Sequence, residues 1–565
     1  MTGPKRWQLF DQQSEITSQL GPRLDVHPIL AQILLNREIK SLKEASAFLM
    51  PNRSVSELSF DQKDLDQVTG VLHAHVSRKT PIMVYGDYDV DGMSSTALMV
   101  TVLRQLGATV HFYIPDRFQD GYGLSQGIIP SLIEKKIGLL LTLDCGVSNR
   151  VEIAAIKDQC ACDVLVLDHH QLPDILPDFD GMLNPKQLPE SHSYAHLCTA
   201  GIVFECLDYY VRRYSCGLDM NAFLDLVALG TVADVARLKG ANRWYVVEGL
   251  RLLSARHHLG IRCLLEEANC TQARITAREI GFVIAPRLNA SGRLKNGLLG
   301  VKLLMAETEE SGRHFARLLE SLNQERRALD VSILKESVAF VEAEKLHEQS
   351  VIVMSSKTWH PGVIGITASK LVERYSRPVV LVCEQNEIAR GSARSVGEVN
   401  VYQVLKSCQS YFQSFGGHQQ AAGFSMSLNQ IPGFIESLQL KGREQILPEA
   451  LFPIIHVDAP LMGGQIDLAL AESLQRLAPF GEGNPEPVFY FEGLTPVSPK
   501  CVGDGRHVKV MFTDPSSGVV LDGIGFNLSD KLELFHRKKV SVVGHLQVNE
   551  WQQRRSVQIQ ILDVK

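Results

Sequence analysis

The sequence predicts a mixed α/β protein: a parallel-sheet domain, a long helix leading to a second α/β domain, and a small C-terminal β-barrel. Three observations support this fold class. From Pro81 onward, short apolar segments alternate with helical ones, which is typical of parallel sheets covered on both faces. Residues 313–350 contain no proline or glycine, which predicts a long connecting helix. The C-terminal part alternates apolar and polar residues between tight turns, as barrel strands do.

The composition narrows the class of protein. The 565 residues are 45% hydrophobic and 21% charged, which is typical of soluble globular proteins with several domains. With a formal net charge of −6, any nucleic-acid surface must be a local patch. The 11 cysteines form no CxxC pair, which argues against a disulfide framework or a cysteine zinc site. The amino terminus lacks an apolar signal core and no apolar run approaches the roughly 18 residues of a membrane span, so we expect a cytoplasmic protein without a membrane partner.

The first α/β domain is expected to begin after a mostly helical stretch over residues 1–80. A helix over about Ser94–Leu106 follows the first of four predicted strands. The strands are Ile82–Tyr85, Thr109–Ile114, Gly138–Leu143 and Asp163–Leu167. Acidic or histidine residues follow three of these strands, and ligands of parallel sheets bind outside the carboxyl ends of the strands. The sequence therefore predicts a functional site at this edge of the sheet.

The turn GDYDVDG after the first strand carries three alternating carboxylates, Asp87, Asp89 and Asp91. Carboxylates placed this close together repel one another, so a cation is their natural partner. Gly86 and Gly92 allow the backbone to turn tightly around them. A solvated acidic turn is the alternative, whereas an EF-hand calcium loop is excluded because no glutamate stands at its twelfth position.

Three further segments carry candidate ligands: Asp144 in LTLDCG, Asp168–His169–His170, and Asp234 in LGTVADVA. Taken alone, either Asp144 or Asp234 is most simply a helix cap, and the histidine pair is equally compatible with a structural role. Together these carboxylates and imidazoles, without a thiolate, suit manganese or magnesium better than structural zinc. A shared carboxylate could bridge two metals about 3.5–4 Å apart, as in sites that hydrolyse phosphate esters.

The remaining elements follow in order. The second α/β unit has predicted strands at Val351–Met354 and Pro378–Cys383, a helix within HPGVIGITASKLVERY, and the glycine-rich segment FGGHQQAAGF. The predicted barrel strands are His507–Phe512, Val519–Gly525, Val540–Val548 and Val557–Leu562.

These motifs carry a resemblance to known proteins over nearly the whole chain. GDYDVDG, TLDCG, DHH and GTVAD, in that order, resemble the motifs of the DHH phosphoesterase superfamily. WHPGVIGI, GSARS and GGHQQAAG resemble its associated DHHA1 domain, and APFGEGNPEP followed by a barrel is similar to the RecJ nucleases. The resemblance implies a DHH domain over residues 1–300 including an N-terminal helical region, a connector helix over 301–350, a DHHA1 domain over 351–450 and an OB-fold over 451–565.

The resemblance also implies which residues act in catalysis. It assigns two divalent ions, Mn²⁺ or Mg²⁺, to a set of ligands whose catalytic members are Asp89, Asp91, Asp144, His169, His170 and Asp234. Asp87 is expected to be a further ligand or to support one, and Asp168 is expected to orient an imidazole.

Substrate contacts are implied outside the metal motifs. Arg117, Ser392 and Arg394 are expected to hold a 5′ phosphate, because a guanidinium and a hydroxyl suit a terminal phosphate. Further DNA contacts are expected at Tyr122, Arg287, Arg293, His360, His418, Trp551, Arg554 and Arg555. For each of these residues a structural role, such as a surface salt bridge, a packed loop aromatic or a solvated hairpin tip, is the competing interpretation.

The resemblance implies an exonuclease that degrades single-stranded DNA from 5′ to 3′, releases 5′-mononucleotides and acts in recombination and repair. A monomer is expected, with a single-strand-binding protein and a RecQ-type helicase as partners. One alternative is a DHH oligoribonuclease or cyclic dinucleotide phosphodiesterase, relatives that usually lack the C-terminal barrel. The other is a non-catalytic single-strand-binding protein, against which the clustered charges argue because they are costly without metal.

Overall fold

The computed structural model describes residues 5–53, 59–117, 120–121, 123–385, 387–551 and 554–565. The strands in this part of the chain are β1 (Arg6–Leu9), β2 (Ile82–Tyr85), β3 (Val110–Tyr113), β4 (Leu139–Leu143), β5 (Asp163–Leu167), β6 (Gly181–Leu183), β7 (Ile352–Ser356), β8 (Val379–Gln385), β9 (Ile388–Arg394), β10 (Ser414–His418), β11 (Ala421–Ser427), β12 (Ile454–Val457), β13 (Ala459–Pro460), β14 (Phe489–Val502), β15 (His507–Thr513), β16 (Val520–Gly525), β17 (Val540–Trp551) and β18 (Arg554–Val564).

The α-helices of the same residues are α1 (Ser14–Leu24), α2 (Pro28–Asn36), α3 (Leu42–Leu49), α4 (Gln62–Arg78), α5 (Val90–Gln105), α6 (Ile129–Glu134), α7 (Arg150–Gln159), α8 (Thr199–Arg213), α9 (Leu224–Ala233), α10 (Gly240–Ala255), α11 (Leu259–Glu267), α12 (Ala277–Glu279), α13 (Ala285–Leu294), α14 (Leu298–Leu304), α15 (Glu309–Ala343), α16 (Ile364–Tyr375), α17 (Val401–Lys406), α18 (Ile431–Gln445) and α19 (Leu468–Leu474). A π-helical segment, Ile280–Ile284, joins α12 to α13. No helix among these is both long and apolar enough to cross a membrane.

The chain forms two compact units. We call residues 46–325 with 479–485 the parallel-sheet unit, and residues 1–45, 326–478 and 486–565 the composite unit. Helix α15 has 35 residues and at 1.5 Å per residue is about 50 Å long, in agreement with the predicted long helix. The mixed α/β fold class predicted from the sequence is confirmed.

The parallel-sheet unit is built on a five-stranded sheet in the order β3-β2-β4-β5-β6, and every neighbouring pair is parallel. Strands β2 and β5 have the predicted bounds. The sequence did not reveal β6, because a strand of three residues carries too little pattern. Helix α5 begins earlier than predicted, at Val90, because the Asp89 carboxylate accepts a hydrogen bond from the Gly92 N–H at 3.0 Å and caps it.

The composite unit contains a five-stranded sheet in the order β10-β11-β9-β8-β7 and a barrel. In the barrel, β14 pairs with both β15 and β17, and β16 runs parallel to β18, which closes a five-stranded Greek key of the OB type. The 14-residue strand β14 was not predicted from the sequence. Pro496, Pro499 and a bulge between Val497 and Lys500 interrupt its alternation of apolar and polar residues.

The N-terminal residues differ from the sequence expectation, which placed them in the first α/β domain. Strand β1 pairs in parallel with β12, so residues 1–45 belong to the composite unit. The indole N–H of Trp7 also donates to Asp563 at 2.8 Å. A four-residue strand that pairs far along the chain leaves no local signal from which the sequence could have predicted it.

The segment 479–485, PFGEGNP, is part of the parallel-sheet unit. The backbone N–H of Leu238 donates to the carbonyl oxygen of Glu482 at 2.8 Å. Asn484 is fully buried, and its Nδ2 donates to the carbonyl oxygen of Pro479 at 2.8 Å. A late segment of the chain thus supports the backbone that follows Asp234.

Candidate metal centre

The first acidic turn places Asp87 and Asp89 at the carboxyl end of β2. Asp87 is only 4% exposed, and its Oδ1 has no hydrogen-bond partner among the described residues. Gly92 is required here, because a Cβ at this position would lie 2.6 Å from the backbone of Asp87. The start of α5 therefore presses against the turn and holds both carboxylates at the end of the sheet.

Asp91 is fixed by the amino terminus of α8. Its two carboxylate oxygens accept hydrogen bonds from the N–H groups of Thr199 at 2.7 Å and Ala200 at 2.9 Å. A Cβ on Gly230 of α9 would lie 2.6 Å from Asp91 Oδ1, so only glycine allows this helix to approach. Sequence reasoning missed Thr199 and Ala200; the small residues of CTAG at the start of α8 are the only signal that could have indicated them.

His169 lies between two carboxylates from different segments. Its Nε2 is 3.2 Å from Asp144 Oδ1, and its Nδ1 is 3.7 Å from Asp234 Oδ2. Asp144 adopts a left-handed backbone conformation with φ of 64°, and its Oδ1 also accepts from the Thr199 hydroxyl at 3.0 Å. The four segments identified from the sequence therefore meet at one place.

Asp168 orients the second imidazole. Its Oδ1 is 2.7 Å from His170 Nδ1, and its Oδ2 accepts from the Val147 N–H at 3.1 Å. Burial alone would raise the pKa of Asp168, but the hydrogen bonds and charge of His170 lower it. Burial likewise opposes the charged form of His170, yet the bond to Asp168 raises the pKa of this imidazole to about 10. A carboxylate behind an imidazole is the usual support for a metal-ligating histidine.

The acidic and imidazole side chains form three groups whose possible ligand atoms lie within 4.8 Å of one another. These groups are Asp87–Asp89–Asp144, Asp91–His169–Asp234 and Asp144–His169–His170. Asp144 and His169 are each shared between two groups. Buried oxygen and nitrogen donors without a thiolate, including the unpartnered Asp87 Oδ1, fit divalent ions such as Mn²⁺ or Mg²⁺.

The electrostatics of the centre are strongly unfavourable without a cation. Burial, together with neighbouring carboxylates, raises the pKa of Asp87 and of Asp144 well above the usual range. Burial raises the pKa of Asp91 and of Asp234 to about 7, with further contributions from adjacent charges. A bound cation would relieve this repulsion by neutralising the carboxylates.

The metal-free protein is expected to lose stability as the pH rises. Because Asp91 and Asp234 have folded-state pKa values of about 7, their stabilising contribution is present below the unfolded value of about 4 and is lost as the pH rises through 7. Melting temperatures in EDTA should be lower at pH 8 than at pH 5. Added Mn²⁺ should raise the melting temperature far more at pH 8, because protons compete for the ligands at pH 5; equal stabilisation at both pH values would contradict this.

The arginines predicted to contact DNA in this unit lie in different environments. The Arg117 guanidinium is 5.3 Å from the centre of the Tyr88 ring, beside the metal turn. Burial raises the pKa of Tyr88, and the charge of Arg117 opposes that shift. Arg293 is also near this turn, because a Cβ on the adjacent Gly292 would lie 2.2 Å from the carbonyl oxygen of Tyr88. Arg287 departs from its expected role, because it is 6% exposed and its Nε–H donates to Glu320 at 2.6 Å inside the protein. Tyr122 lies outside the described residues.

Ser392 and Arg394 lie together on β9 of the composite unit. Arg394 Nη1 donates to Ser392 Oγ at 3.1 Å and to the carbonyl oxygen of Ala393 at 2.7 Å. A Cβ on Gly365, at the amino terminus of α16, would lie 2.8 Å from Arg394 Nη2 and 2.9 Å from Ser392 Oγ. A hydroxyl, a guanidinium and a helix amino terminus thus converge at one end of the unit.

The two histidines predicted to contact DNA lie on turns of the composite unit. His418 shares a sheet face with Arg394, because His418 pairs with Ala421 and Ala421 pairs with Arg394. His418 Nδ1 accepts from the Gln420 N–H at 3.3 Å, and His360 Nδ1 accepts from the Gly362 N–H at 3.1 Å. A Cβ on Gly416, in the same glycine-rich hairpin, would meet no described atom within 4 Å, so this face of the sheet is open.

The residues of the barrel predicted to contact DNA differ in their surroundings. Arg554 is exposed at the start of β18, whereas Arg555 Nη1 lies 2.7 Å from Glu472 Oε1. Trp551 ends β17, and its side chain is outside the described part of the structure. Of the two arginines, Arg554 is therefore the better placed to meet a ligand.

Comparisons with known proteins cover the whole chain. Family profiles match as DHH family, N-terminal domain, over residues 81–231, as DHHA1 domain over 348–441, and as RecJ OB domain over 457–563. The single-stranded-DNA-specific exonuclease RecJ of Haemophilus influenzae is 32% identical, covering 96% of each chain. The protein of that name from Bacillus subtilis is 31% identical over 99% of this chain and 70% of its own length. The crystal structure of Thermus thermophilus RecJ with Mn²⁺ matches with a TM-score of 0.86 and 28% identity, covering 99% of this chain and 79% of that one.

Carboxylates and imidazoles at the carboxyl ends of a parallel sheet, in the motif order of the DHH family, define a metal-dependent phosphoesterase. The match continues through the DHHA1 and OB domains and over almost the full length of the relatives from H. influenzae and Salmonella typhimurium. The chain belongs to the RecJ exonuclease family.

Proposed function

We propose that this protein degrades single-stranded DNA from the 5′ end and releases 5′-mononucleotides, in recombination and repair. The observation that carries the proposal is the meeting of four motif segments at one acidic and imidazole centre, in a chain similar to RecJ exonucleases from end to end. An oligoribonuclease or cyclic dinucleotide phosphodiesterase is less well supported, because the similarity extends through the OB domain. A non-catalytic binding protein is disfavoured by the intact set of candidate ligands.

Within the centre, we assign the ligands of two divalent ions to Asp87, Asp89, Asp91, Asp144, His169, His170 and Asp234. Bound ions would supply a nucleophilic hydroxide near neutral pH and neutralise charge on the scissile phosphate. The protein contributes fixed geometry: the start of α8 locks the carboxylate of Asp91, and Asp168 sets the orientation of the His170 ring. Arg117 and Arg293, beside the same turn, would attract the phosphate backbone.

Direction requires recognition of a terminus, and we assign the 5′ phosphate to Ser392 and Arg394 of the composite unit. Arg117, in the parallel-sheet unit, is a separate candidate phosphate contact. A terminal phosphate has a second ionisable oxygen, which a guanidinium can engage with two parallel hydrogen bonds. The amino terminus of α16 beside Gly365 adds backbone N–H groups and a favourable dipole for an anion. His360 and His418, on turns of the same unit, are proposed to contact the adjoining nucleotide.

The domain roles follow the division drawn from the sequence. Within residues 1–300, those of the parallel-sheet unit would carry catalysis. Residues 301–350 would form the connector, 351–450 would bind the terminus and 451–565 would bind the extended strand. A cytoplasmic monomer that works with a single-strand-binding protein and a RecQ-type helicase is part of the proposal.

The proposal is tested by incubating the protein with Mn²⁺ and end-labelled substrates of matched sequence. The panel compares 5′ with 3′ labels, single with double strands, and DNA with RNA. We expect mononucleotides to be released from the 5′ end of single-stranded DNA. Release of mononucleotides only from RNA or from linear dinucleotides would favour the oligoribonuclease alternative, and binding without cleavage would favour the binding protein.

Replacing Arg554 with alanine should weaken the binding of long single strands more than replacing Arg555. Arg554 is exposed, whereas Arg555 is already engaged by Glu472. Loss of one phosphate contact should also reduce the slope of log affinity against log salt by about 1. Fluorescence anisotropy with a labelled oligothymidylate at several salt concentrations measures both quantities, and equal effects of the two substitutions would argue against this role of the barrel.

A further inference from the structure

One helical face of the parallel-sheet unit presents a row of solvent-facing side chains that the metal centre does not use. The row runs along α12, the π-helical segment and α13, where residues three or four positions apart share a face. Its members, all exposed or half-buried, are Arg278, Phe282, Pro286, Asn289 and Arg293.

Phe282 is the unusual member of this row. Its side chain is 73% exposed, although helical aromatic residues usually bury their rings. It lies in the π-helical segment Ile280–Ile284, and such segments occur frequently at functional sites. The neighbouring Gly281 is also exposed, and a Cβ there would meet no described atom within 4 Å. The ring is therefore open to solvent, and the helix surface beside it at Gly281 is not covered by other described residues.

The row begins at the metal turn. A Cβ on Gly292 would lie 2.2 Å from the carbonyl oxygen of Tyr88, so α13 packs directly on the turn that carries Asp87 and Asp89. Ten residues at 1.5 Å each place Phe282 about 15 Å from this contact along the helix. At the other end, Arg278 is exposed and forms no ion pair with the described residues. Basic residues thus stand on both sides of an exposed aromatic ring.

We propose that this row is a binding track for single-stranded DNA, in which a nucleobase several nucleotides from the scissile phosphate stacks on Phe282. Base stacking on an aromatic ring combined with basic contacts to the backbone is how proteins hold single strands without reading sequence. Arg278 and Arg293 supply the backbone contacts on either side of the ring. This inference rests on the proposed single-strand exonuclease activity.

The test compares wild type with Phe282→Ala, Phe282→Leu and Phe282→Trp on two substrates, a 16-residue oligothymidylate and the dinucleotide pTpT. Phe282→Ala should raise KM for the long strand about 10-fold, as loss of one stacked base predicts, with little change in kcat. Kinetics on pTpT should not change, because so short a substrate cannot span about 15 Å from the metal turn while stacked at roughly 3.4 Å per nucleotide. Phe282→Trp should retain the wild-type KM, and Phe282→Leu should behave as alanine.

The matched control is Ile133→Ala, which removes another exposed apolar side chain of the same unit, 55% exposed, and should leave both substrates unaffected. Melting temperatures should be unchanged in all variants, because the altered side chains are exposed. An unchanged KM in Phe282→Ala, equal impairment on pTpT, or full retention by Phe282→Leu would overturn the stacking role; the last result would show that an apolar contact without stacking is sufficient. Failure of the wild type to cleave either substrate would instead contradict the proposed function.

Discussion

Asp87→Asn should abolish hydrolysis while making the metal-free protein more stable. The Asp87 carboxylate is buried, one of its oxygens has no hydrogen-bond partner among the described residues, and burial with the charges of Asp89 and Asp144 raises its pKa. A neutral amide of the same shape removes this repulsion, so the melting temperature in EDTA should rise at pH 8. It also removes an anionic candidate ligand. Loss of a residue that only supports a metal ligand lowers activity about 10- to 100-fold, so turnover should fall by more than about 100-fold when a ligand itself is lost.

Asp225→Asn is the matched control for this change. Asp225 is 4% exposed, lies in the same unit, and burial raises its pKa, but it belongs to none of the three ligand groups. The control should also be more stable than the wild type, yet retain turnover. Isothermal titration with Mn²⁺ should show weaker binding only in Asp87→Asn. If folded Asp87→Asn turned over substrate at a rate close to that of the wild type, Asp87 would not be part of the metal centre.

Arg394→Ala should remove the preference for 5′-phosphorylated ends. Truncating one partner of a desolvated charge pair costs about 2–5 kcal/mol, which corresponds to a loss of about 30-fold or more in kcat/KM. The loss should be confined to phosphate-ended strands, because hydroxyl-ended strands lack the dianion that Arg394 would engage. Initial rates on matched phosphate-ended and hydroxyl-ended oligonucleotides give the ratio directly.

Arg390→Ala is the control for this substitution, since Arg390 is exposed on the same strand, β9, and carries the same charge. This substitution should leave unchanged the ratio of the rate on phosphate-ended strands to the rate on hydroxyl-ended strands. A uniform fall of both rates in Arg394→Ala would make Arg394 a general backbone contact and place the terminal-phosphate pocket elsewhere. Ser392→Ala should show the same selectivity with a smaller effect, because a neutral hydrogen bond contributes less than a charged one.

The sequence predicted the parallel sheet, and it singled out acidic and histidine residues that the structure brings close together. Buried parallel strands are near-continuous apolar runs, so the acidic residues directly after β4 and β5, Asp144 and Asp168, could be recognised from the sequence. Because Asp89 caps α5, this helix begins earlier than predicted, but the candidate ligands are the same residues. The candidate ligands could be predicted because they directly follow strands, and the end of a strand is visible in the local sequence.

The parts that sequence reasoning missed depend on distant contacts. Nothing local to Arg287 indicates that Glu320 pairs with it and buries it, and the motif around Arg287 suggested an exposed role instead. The pairing of β1 with β12 and the closing of the barrel by β14 likewise depend on partners far along the chain.

The contact between Leu238 and Glu482 has a consequence for the synthesis of the protein. About 240 residues separate the two positions, and ribosomes add about 5–20 residues per second, so this hydrogen bond closes some tens of seconds after Asp234 has been translated. During that interval the nascent chain already carries all its candidate metal ligands, but the backbone next to one of them lacks its final support. The backbone beside the metal centre would therefore reach its final geometry only after Glu482 has been translated.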